Sequence, residues 1–418
     1  MDTFHIEGPV RLEGAVEASG AKNAALPCLA AALLTPEPVH LSNLPDVRDI
    51  RTMQKLLAHI GVFLSARPGE VTIEAREIHA ADAPYDLVKT MRASVLVLGP
   101  LLTRSGHVRV SLPGGCAIGV RPIDLHLAAF RKFGAEVTLE HGYVEAKAAR
   151  LSGAKITFAT VTVTGTENAM LAATLARGES VLENAAREPE VVDLARLLRS
   201  MGARIRGEGT ATITIEGVEA LHAAEHAVVA DRIEAGTYAL AGAITRGDVT
   251  VLRCRPEHVE ALTENLAAAG ARVEASADSL RVRAGDKLSA RDIATAPYPG
   301  FPTDLQAQWM ALATTMEGVS TVTETIFENR FQHVAELARM GARIHVEGRR
   351  ARVEGPARLT GANLMASDLR ASAALVIAAL AAEGQSVVHR VYHLDRGFQA
   401  MEEKLAALGG SVRRVPGP

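Results

Sequence analysis

The residues that could do chemistry concentrate between positions 111 and 126, which read SLPGGCAIGVRPIDLH. Cys116 follows two glycines there, so the backbone can take positive φ and approach a ligand closely. Arg121 comes five residues later, and its guanidinium is permanently charged and forked for bidentate contact with phosphate or carboxylate. Pro122 stands where a helix from about Ile123 could begin. Thiol, guanidinium and helix N-terminus together suit an anionic ligand.

Two interpretations of Cys116 stay open on local sequence. A free cysteine is often a small buried hydrophobic residue. Glycines on both sides of Cys116 disfavour burial, and a nearby arginine would lower the thiol pKa from about 8.5 and raise its reactivity. The other cysteines differ in setting, because Cys28 stands in the apolar run LPCLAAALL and Cys254 stands in VTVLRCRPEH without glycines. We interpret Cys28 as core and Cys254 as a strand end.

Composition narrows the class of partner. The chain has 418 residues, and its 45 basic and 48 acidic residues leave a formal net charge of −3. Such a balance gives no electrostatic footprint for nucleic acid or a membrane surface. We therefore expect a small-molecule partner.

Localisation and metal content are predicted from what the sequence does not show. Its beginning lacks a cationic region followed by an apolar run, and its longest apolar runs are shorter than the roughly 20 residues of a membrane span. Three widely spaced cysteines argue against a disulfide framework. We expect a cytoplasmic protein. The 14 histidines show no metal-ligand spacing, and GGCAIG is followed by Val120 instead of lysine, so neither a metal, a cofactor nor a P-loop is predicted.

A short phrase, in which one or two apolar residues precede a glycine and a strand start, recurs through the whole chain. Successive copies are 68 to 73 residues apart, at Gly61, Gly134, Gly202, Gly270, Gly341 and Gly409. The third copy predicts an apolar helix over 167–176, a strand over 180–184 and a second helix over 189–200 before two further strands. Each copy is thus a βαβαββ unit.

The matching first helices are apolar on nearly every face, so we expect them inside each domain with the sheets outside. They are predicted at 23–34, 88–102, 233–245, 305–316 and 369–382. The second helices carry charge on one side and should be amphipathic.

Six units suggest two domains of three units each. The opening strand, predicted over 4–16, has no full unit of its own and is expected to complete the C-terminal half. We predict one domain over 21–229 and a second over 1–20 and 230–418. Interfaces between domains are preferred ligand sites, so the cleft between them is the expected active site.

The chain resembles the enolpyruvyl transferase family along almost its full length. The motifs that carry the resemblance are SGAKNAALP (19–27), LPGGCAIGVRPIDLH (112–126), ENAAREPEVVDLA (183–195), DRIEAGTYALA (231–241), YPGFPTDLQAQ (298–308), IFENRFQHV (326–334), DLRASAALV (368–376) and LDRGFQ (394–399). The resemblance implies an inside-out α/β barrel of two domains, each with threefold repetition.

The implied reaction moves the enolpyruvyl group of phosphoenolpyruvate to the 3-hydroxyl of UDP-N-acetylglucosamine and releases phosphate. This is the first committed step of peptidoglycan precursor synthesis, and the resemblance also implies inactivation by fosfomycin. Two alternatives stay open: transfer to shikimate 3-phosphate, and a non-catalytic paralogue that binds the nucleotide sugar.

The resemblance implies a role for each of a set of residues. Cys116 is the acid, Asp304 the base, and Lys22 a further catalytic cation. Phosphoenolpyruvate would be bound by Lys22, Asn23, Arg121, Arg330 and Arg396. UDP-N-acetylglucosamine would be bound by Arg92, Arg121, Pro122, Ile123, Asp124, Leu125, Val161, Thr162, Val163, Thr164, Asp304 and Ile326. Asp368 and Arg370 would contact the substrate-binding residues instead of the substrates.

Physical chemistry leaves three of these roles open. A thiolate at Cys116 could add covalently to the substrate, whereas a proton donor must be a neutral thiol. Asp304 could simply cap a helix. With a reference pKa near 3.9, Asp304 also needs burial or cationic support of the transition state to act as a base. The segment 160–165, TVTVTG, departs from the common family pattern, so contacts from its side chains are doubtful.

Overall fold

The computed structural model describes residues 1–89, 91–112 and 123–417. Cys116, Arg121 and Pro122 therefore lie outside the described residues. The described chain divides into two compact units. The first unit comprises 20–89, 91–112 and 123–229, and the second comprises 1–19 and 230–417. That these units act as domains around a shared ligand site stays a prediction.

Short strands build every sheet in the described residues. In chain order they are β1 (Thr3–Gly8), β2 (Glu13–Glu17), β3 (Val39–Ser42), β4 (Phe63–Arg67), β5 (Glu70–Glu74), β6 (Asp82–Ala83), β7 (His107–Ser111), β8 (Glu136–Glu140), β9 (Tyr143–Lys147), β10 (Lys155–Thr157), β11 (Glu179–Glu183), β12 (Arg204–Arg206), β13 (Thr212–Glu216), β14 (Ala224–Ala227), β15 (Asp248–Leu252), β16 (Arg272–Ala275), β17 (Ser279–Arg283), β18 (Ile293–Ala294), β19 (Gly318–Thr323), β20 (Arg343–Glu347), β21 (Arg350–Gly355), β22 (Asn363–Met365), β23 (Gly384–His389) and β24 (Ser411–Val415).

The α-helices alternate with these strands. They are α1 (Lys22–Ala31), α2 (Arg48–Ile60), α3 (Tyr85–Val88), α4 (Leu98–Ser105), α5 (Asp124–Lys132), α6 (Val163–Ala173), α7 (Pro189–Ser200), α8 (Arg232–Ile244), α9 (Glu260–Ala268), α10 (Gln306–Ala313), α11 (His333–Arg339), α12 (Leu369–Ala381) and α13 (Met401–Ala407). Short 3₁₀ segments occupy Ala32–Leu34, Arg92–Val97, Pro256–Val259, Thr303–Leu305 and Val391–Arg396.

One sheet topology recurs six times among the described residues. In the third copy β10 runs parallel to β11, and β13 pairs antiparallel with both β11 and β12. The order β10-β11-β13-β12 therefore follows from a βαβαββ unit, as predicted. The other sheets have the orders β14-β3-β5-β4, β6-β7-β9-β8, β16-β17-β15-β2, β18-β19-β21-β20 and β22-β23-β1-β24.

Distant parts of the chain close each unit. In the first unit β14, its last strand, pairs parallel with β3, its first. In the second unit β1 lies between β23 and β24, and β2 pairs parallel with β15. The single strand predicted over 4–16 was wrong, because β1 and β2 belong to different sheets. Pro9 has no N–H to donate, so the β1 ladder ends at the residue before it.

Three helices pack together at the centre of the second unit, namely α8, α10 and α12. Every residue of α10 is buried, and so are nearly all residues of α8 and α12. In the first unit α1 and α6 are equally buried. Outer strands such as β8 expose most of their residues. The predicted arrangement, with helices inside and sheets outside, is confirmed within each unit.

Two predicted helices have different bounds in the structure. The single helix expected over 88–102 was wrong: α3 ends at Val88 and α4 begins at Leu98, after a 3₁₀ segment. Pro100 lies in the first turn of α4, where its missing N–H and its ring are tolerated. The helix expected over 167–176 begins earlier, at Val163, because Thr162 caps it by accepting a hydrogen bond from the Gly165 N–H.

The repeated glycines follow the second helix of each unit. All six have positive φ, between 88° and 104°, a conformation that only glycine adopts without strain. No helix in the described residues combines the length and apolar character that a membrane crossing needs.

Candidate functional site

Lys22 is the first residue of α1, in the first unit, and its side chain is almost fully buried. Its Nζ lies 3.1 Å from Oδ2 of Asp49, the second residue of α2. A buried ammonium needs such a partner, since an uncompensated charge in the interior is costly. The position of Asp49 in the first turn of α2 further stabilises its carboxylate. Asn23 follows Lys22 and is half-buried.

Three buried glutamates belong to the same unit. Glu167 lies in α6, Glu188 precedes α7, and Glu190 lies in its first turn. Burial, with additional repulsion from Glu190 and Glu188, raises the pKa of Glu167 well above its ordinary value. The protonated form of Glu167 is therefore favoured relative to an exposed glutamate. The fold thus gathers acidic side chains in the unit that carries Lys22.

Asp304 and Ile326 belong to the second unit, whereas the other predicted nucleotide-binding residues within the described ranges lie around the start of α5 and the start of α6, or at Arg92. Ile123 is the N-cap residue of α5, followed by exposed Asp124 and half-buried Leu125. The residues 161–164 include the cap and first turn of α6. Arg92 begins the 3₁₀ segment before α4. The structure thus places these residues at helix starts of one unit, where backbone N–H groups favour anions.

His126 joins two of these helix starts and was missed in the sequence. Its Nε2 lies 3.3 Å from Thr164 Oγ1, and its Nδ1 lies 3.1 Å from the Asn168 amide nitrogen. Burial and the positive charge of Arg92 lower the pKa of His126 to about 3. The ring is therefore neutral, and because Nδ1 accepts from the amide we assign the proton to Nε2, which donates to Thr164.

Asn168 extends this network to the third helix start. Its amide nitrogen donates to the Val95 carbonyl at 2.8 Å, and its Oδ1 accepts from the Gly99 N–H at 2.8 Å. Asn168 is fully buried. The network fixes α4, α5 and α6 relative to one another. It therefore positions the segments that carry Arg92, Asp124 and Thr164.

In the second unit Asp304 lies between two arginines. Its Oδ1 is 2.7 Å from Arg330 Nη2, and its Oδ2 is 2.8 Å from Arg370 Nη2 and 3.2 Å from Arg370 Nε. Both guanidinium groups are about 5% exposed, whereas a quarter of the Asp304 side chain is accessible. Arg370 therefore contacts the predicted base directly.

These contacts determine the charge state of Asp304. Burial opposes ionisation, but the charges and hydrogen bonds of Arg370 and Arg330 outweigh it and hold the pKa of Asp304 well below its ordinary value. The structure thus contradicts the idea that burial alone makes Asp304 a stronger base. The helix-cap alternative is also wrong, because Asp304 lies inside the 3₁₀ segment and the N-cap residue of α10 is Leu305.

Glu324 is a buried connector behind this cluster. It accepts hydrogen bonds from the Thr303 hydroxyl at 2.9 Å, from the Thr295 hydroxyl at 2.9 Å and from the Ile326 N–H at 2.8 Å. Thr303 in turn accepts from Arg330 Nη1 at 2.9 Å. One carboxylate thereby holds the turn before Asp304 against the segment that carries Ile326.

The remaining predicted residues lie on the last repeat. Asp368 is the N-cap of α12, and its Oδ1 accepts from the Arg370 and Ala371 N–H groups at 3.0 Å each. This cap fixes the backbone of Arg370. Arg396 is half-buried at the end of the 3₁₀ segment Val391–Arg396.

The site residues that were not predicted from the sequence were missed for the same reason. His126, Asp49 and Glu324 act through contacts made at long sequence separation, so no local spacing reveals them. His126 and Glu324 border quoted motifs, in LPGGCAIGVRPIDLH and just before IFENRFQHV. The one signal available in the sequence was a polar residue on an otherwise apolar helix face, and it applied to His126 and Asn168.

Comparison with known proteins shows the family to which the chain belongs. A family model described as EPSP synthase (3-phosphoshikimate 1-carboxyvinyltransferase) matches residues 6–405. Two proteins named UDP-N-acetylglucosamine 1-carboxyvinyltransferase are similar over 99% of this chain. The one from Koribacter versatilis is 57% identical, with 97% of its length covered, and the one from Solibacter usitatus is 58% identical, with 100% covered.

Solved structures show the same fold. The enolpyruvyl transferase NikO from Streptomyces tendae superposes with a TM-score of 0.90 at 27% identity, over 100% of this chain and 99% of that one. An EPSP synthase from Acinetobacter baumannii gives a TM-score of 0.77 at 18% identity, with both chains fully covered. The predicted inside-out α/β fold is thereby confirmed. The chain belongs to the EPSP synthase (3-phosphoshikimate 1-carboxyvinyltransferase) family of enolpyruvyl transferases.

Proposed function

We propose that this protein transfers the enolpyruvyl group of phosphoenolpyruvate to the 3-hydroxyl of UDP-N-acetylglucosamine and releases phosphate. The observation that carries the proposal is the identity of 57–58% over 99% of the chain with two proteins named for this carboxyvinyl transfer. The reaction would supply peptidoglycan precursors. Its substrates are soluble metabolites, and the cytoplasm is the proposed location.

The first unit would bind most of the anionic groups. Lys22, with Asn23 and Arg121, would hold phosphoenolpyruvate. Arg92, the residues 121–125 and the residues 161–164 would hold the uridine diphosphate. The start of α6 supports this assignment, because its only side-chain cap is the neutral Thr162 and its first N–H groups can face a negative ligand. Backbone donors there would also compensate for the unusual side chains of 160–165.

The second unit would supply the base. Asp304 would accept the proton of the sugar 3-hydroxyl, with Ile326 against the nucleotide. Arg330 and Arg396 would bind the phosphoenolpyruvate carboxylate. In the structure Arg330 pairs with Asp304 at 2.7 Å. A substrate carboxylate that draws Arg330 away would leave Asp304 with Arg370 alone, and the pKa of Asp304 would rise. Substrate binding would thus activate the base, which is otherwise held as a weak one.

Cys116 would protonate the methylene carbon of the enolpyruvyl group while the sugar oxygen attacks the neighbouring carbon. Acid and base would then act on opposite ends of the reacting pair. A covalent adduct through the thiolate is the alternative route. Cys116 is also the proposed site of fosfomycin inactivation.

The test is phosphate release from phosphoenolpyruvate with each acceptor. Release with UDP-N-acetylglucosamine and none with shikimate 3-phosphate would support the proposal. Release with shikimate 3-phosphate alone would replace it, and binding without turnover would favour a non-catalytic protein. Cys116→Ala should abolish turnover, whereas Cys254→Ala should not, since Cys254 is buried after β15 and burial raises its pKa to about 11.

Mass spectrometry after incubation with fosfomycin locates the thiol independently. A single adduct on the peptide that contains residues 111–126 is expected. An adduct on Cys28 or Cys254, or no adduct in a protein that turns over substrate, would contradict the role of Cys116.

A further inference from the structure

Three potential metal ligands meet inside the first unit, outside the proposed catalytic residues. They are Cys28 of α1, Asp193 of α7 and His226 of β14. Cys28 Sγ lies 4.0 Å from Asp193 Oδ2, and His226 Nε2 lies 3.1 Å from Asp193 Oδ1. One ligand atom from each side chain lies within 4.8 Å of the others. Among the residues that the structure describes, this is the single group of three with that property.

The cluster is buried, unlike ordinary acidic surface groups. Cys28 is 0% exposed and Asp193 3%, and the His226 side chain is 12% exposed. The Val229 N–H donates to Asp193 Oδ2 at 3.3 Å and so orients the carboxylate. A second donor of this kind behind a ligand is typical of metal sites.

The ligand set and its spacing suit a tetrahedral ion. Zinc binds thiolate sulfur at about 2.3 Å and imidazole nitrogen or carboxylate oxygen at about 2.0–2.2 Å, so its ligand atoms lie roughly 3.4–3.6 Å apart. The 4.0 Å and 3.1 Å contacts use the two different oxygens of Asp193, and the three ligand atoms lie within 4.8 Å of one another, so zinc would draw them closer together. Thiolate and imidazole disfavour Mg²⁺ and Ca²⁺, which prefer oxygen ligands.

The local charge also favours a cation. The Asp193 carboxylate contacts both other ligands, at 4.0 Å from Cys28 Sγ and 3.1 Å from His226 Nε2. Its negative charge would stabilise a divalent ion. One thiolate and one carboxylate would cancel its charge, so the loaded site would be neutral, as an interior requires.

We propose that Cys28, Asp193 and His226 bind one zinc ion, with water as the fourth ligand. On binding, the Cys28 S–H bond breaks, a sulfur–zinc bond forms, and the proton leaves to solvent. The ion would join α1, which begins with Lys22, to α7 and β14. No sequence pattern indicates this site, because the ligands are separated by 165 and 33 positions and match no metal-binding spacing.

The alternative is a structural cluster without metal: a core thiol beside a histidine–carboxylate contact. Titration of the full-length, chelator-treated protein with Co²⁺ and Zn²⁺ distinguishes the two. We expect one equivalent of zinc by elemental analysis, and a thiolate-to-cobalt charge-transfer absorption with Co²⁺. Zinc should also raise the unfolding temperature, because it would bind the folded state preferentially.

Cys28→Ala should abolish the cobalt absorption, and His226→Gln should weaken zinc binding by roughly 10–100-fold or more. The matched controls are Cys254→Ala, which removes another buried thiol, and His222→Gln, which removes an exposed histidine four positions before His226. Circular dichroism establishes that each variant is folded. Since His226 is partly accessible, its variant keeps the test valid if Cys28→Ala does not fold.

Three results would overturn the proposal. The first is no zinc uptake by the wild-type protein, and the second is cobalt absorption that persists in Cys28→Ala. The third is zinc affinity unchanged in folded His226→Gln. None of these results depends on carboxyvinyl transfer, so failure of this proposal and failure of the proposed function are distinguishable.

Discussion

The two units repeat one βαβαββ scaffold but treat the starts of their central helices differently. In the second unit two of the three central helices, α8 and α12, begin after Asp231 and Asp368, whose carboxylates each accept two backbone N–H groups, while α10 has no side-chain cap. In the described part of the first unit, α1 has no side-chain cap and α6 has only the hydroxyl of Thr162. Carboxylate caps neutralise the positive helix ends, whereas uncapped ends remain available to anions.

The buried charged groups of the two units also differ. The second unit holds one carboxylate, Asp304, between two guanidinium groups. The first holds the ammonium of Lys22 on Asp49, and burial there raises the pKa of Glu167. A repeated scaffold therefore does not dictate chemistry: under the proposed function the first unit binds phosphates, and the second contributes the carboxylate that moves a proton.

The largest expected effect comes from Asp304→Asn, which removes the proposed base. We expect kcat for phosphate release to fall about 10²–10⁴-fold, because an amide cannot take the proton of the sugar hydroxyl. The control is Asp286→Asn, at an exposed position of the same unit. Thermal unfolding checks that the variant is folded, since Arg330 and Arg370 lose their partner. A kcat within about twofold of wild type would remove Asp304 from the mechanism.

Lys22→Met tests the cationic side of the comparison. It leaves Asp49 buried without its ammonium, which should cost about 3–5 kcal/mol in the free energy of unfolding. If Lys22 also binds phosphoenolpyruvate, the KM for phosphoenolpyruvate should rise in the protein that remains folded.

Urea unfolding and steady-state kinetics separate these two effects. Lys55→Met, at an exposed position of α2, is the control and should change neither quantity. An unchanged KM for phosphoenolpyruvate in Lys22→Met would limit Lys22 to a structural role.

Asn168→Ala sharpens the comparison within the first unit. It removes the hydrogen bonds to Val95, Gly99 and His126, which should lower the free energy of unfolding by about 1–3 kcal/mol. Because the network positions the proposed nucleotide-binding segments, the KM for UDP-N-acetylglucosamine should rise more than kcat falls. Asn265→Ala, which removes a side-chain hydrogen bond to the Ala261 carbonyl in the second unit, should leave that KM unchanged. Equal changes in both variants would contradict a positioning role.

Glu167→Gln gives the smallest effect and a dependence on pH. The raised pKa of Glu167 means that its contribution to stability is full below about pH 4.5 and is lost as pH rises toward the folded-state value. The wild type should lose up to about 1.4 kcal/mol per pH unit from this group over that window. Glutamine cannot ionise, so the variant should lack that slope.

Chemical denaturation at several pH values measures the slope. Exposed Glu140→Gln, also in the first unit, is the control and should keep the wild-type slope. Parallel profiles for Glu167→Gln and wild type would show that Glu167 is already ionised in the folded protein.

The repeat can be predicted from the sequence because the residues that begin and end its helices act locally. A glycine that must take positive φ follows every second helix, and Pro189 begins α7 where predicted. The prediction of a single helix over 88–102 was wrong because hydrophobic periodicity alone does not show that α4 begins only two residues before Pro100. The opening strand was predicted too long because a strand gives no sign of which sheet it joins.

The electrostatics of the candidate site are harder to predict, since they arise from contacts between residues that are far apart in the sequence. The motif around Asp304 is visible in the sequence, but its pairing with Arg370 spans 66 positions and reverses the expected effect on its basicity. No local pattern identifies Asp49 as the partner of Lys22. The partners of His126 could be identified only once α5 and α6 had been placed side by side.

The interleaved chain path has a consequence for synthesis. The described residues of the first unit all lie between 20 and 229, so a ribosome releases them before most of the second unit. Strand β1 lies between β23 and β24 and must therefore wait until residues near 415 emerge. Until then β1 lacks both of its neighbouring strands, so we expect its pairing to be among the last contacts that form during maturation.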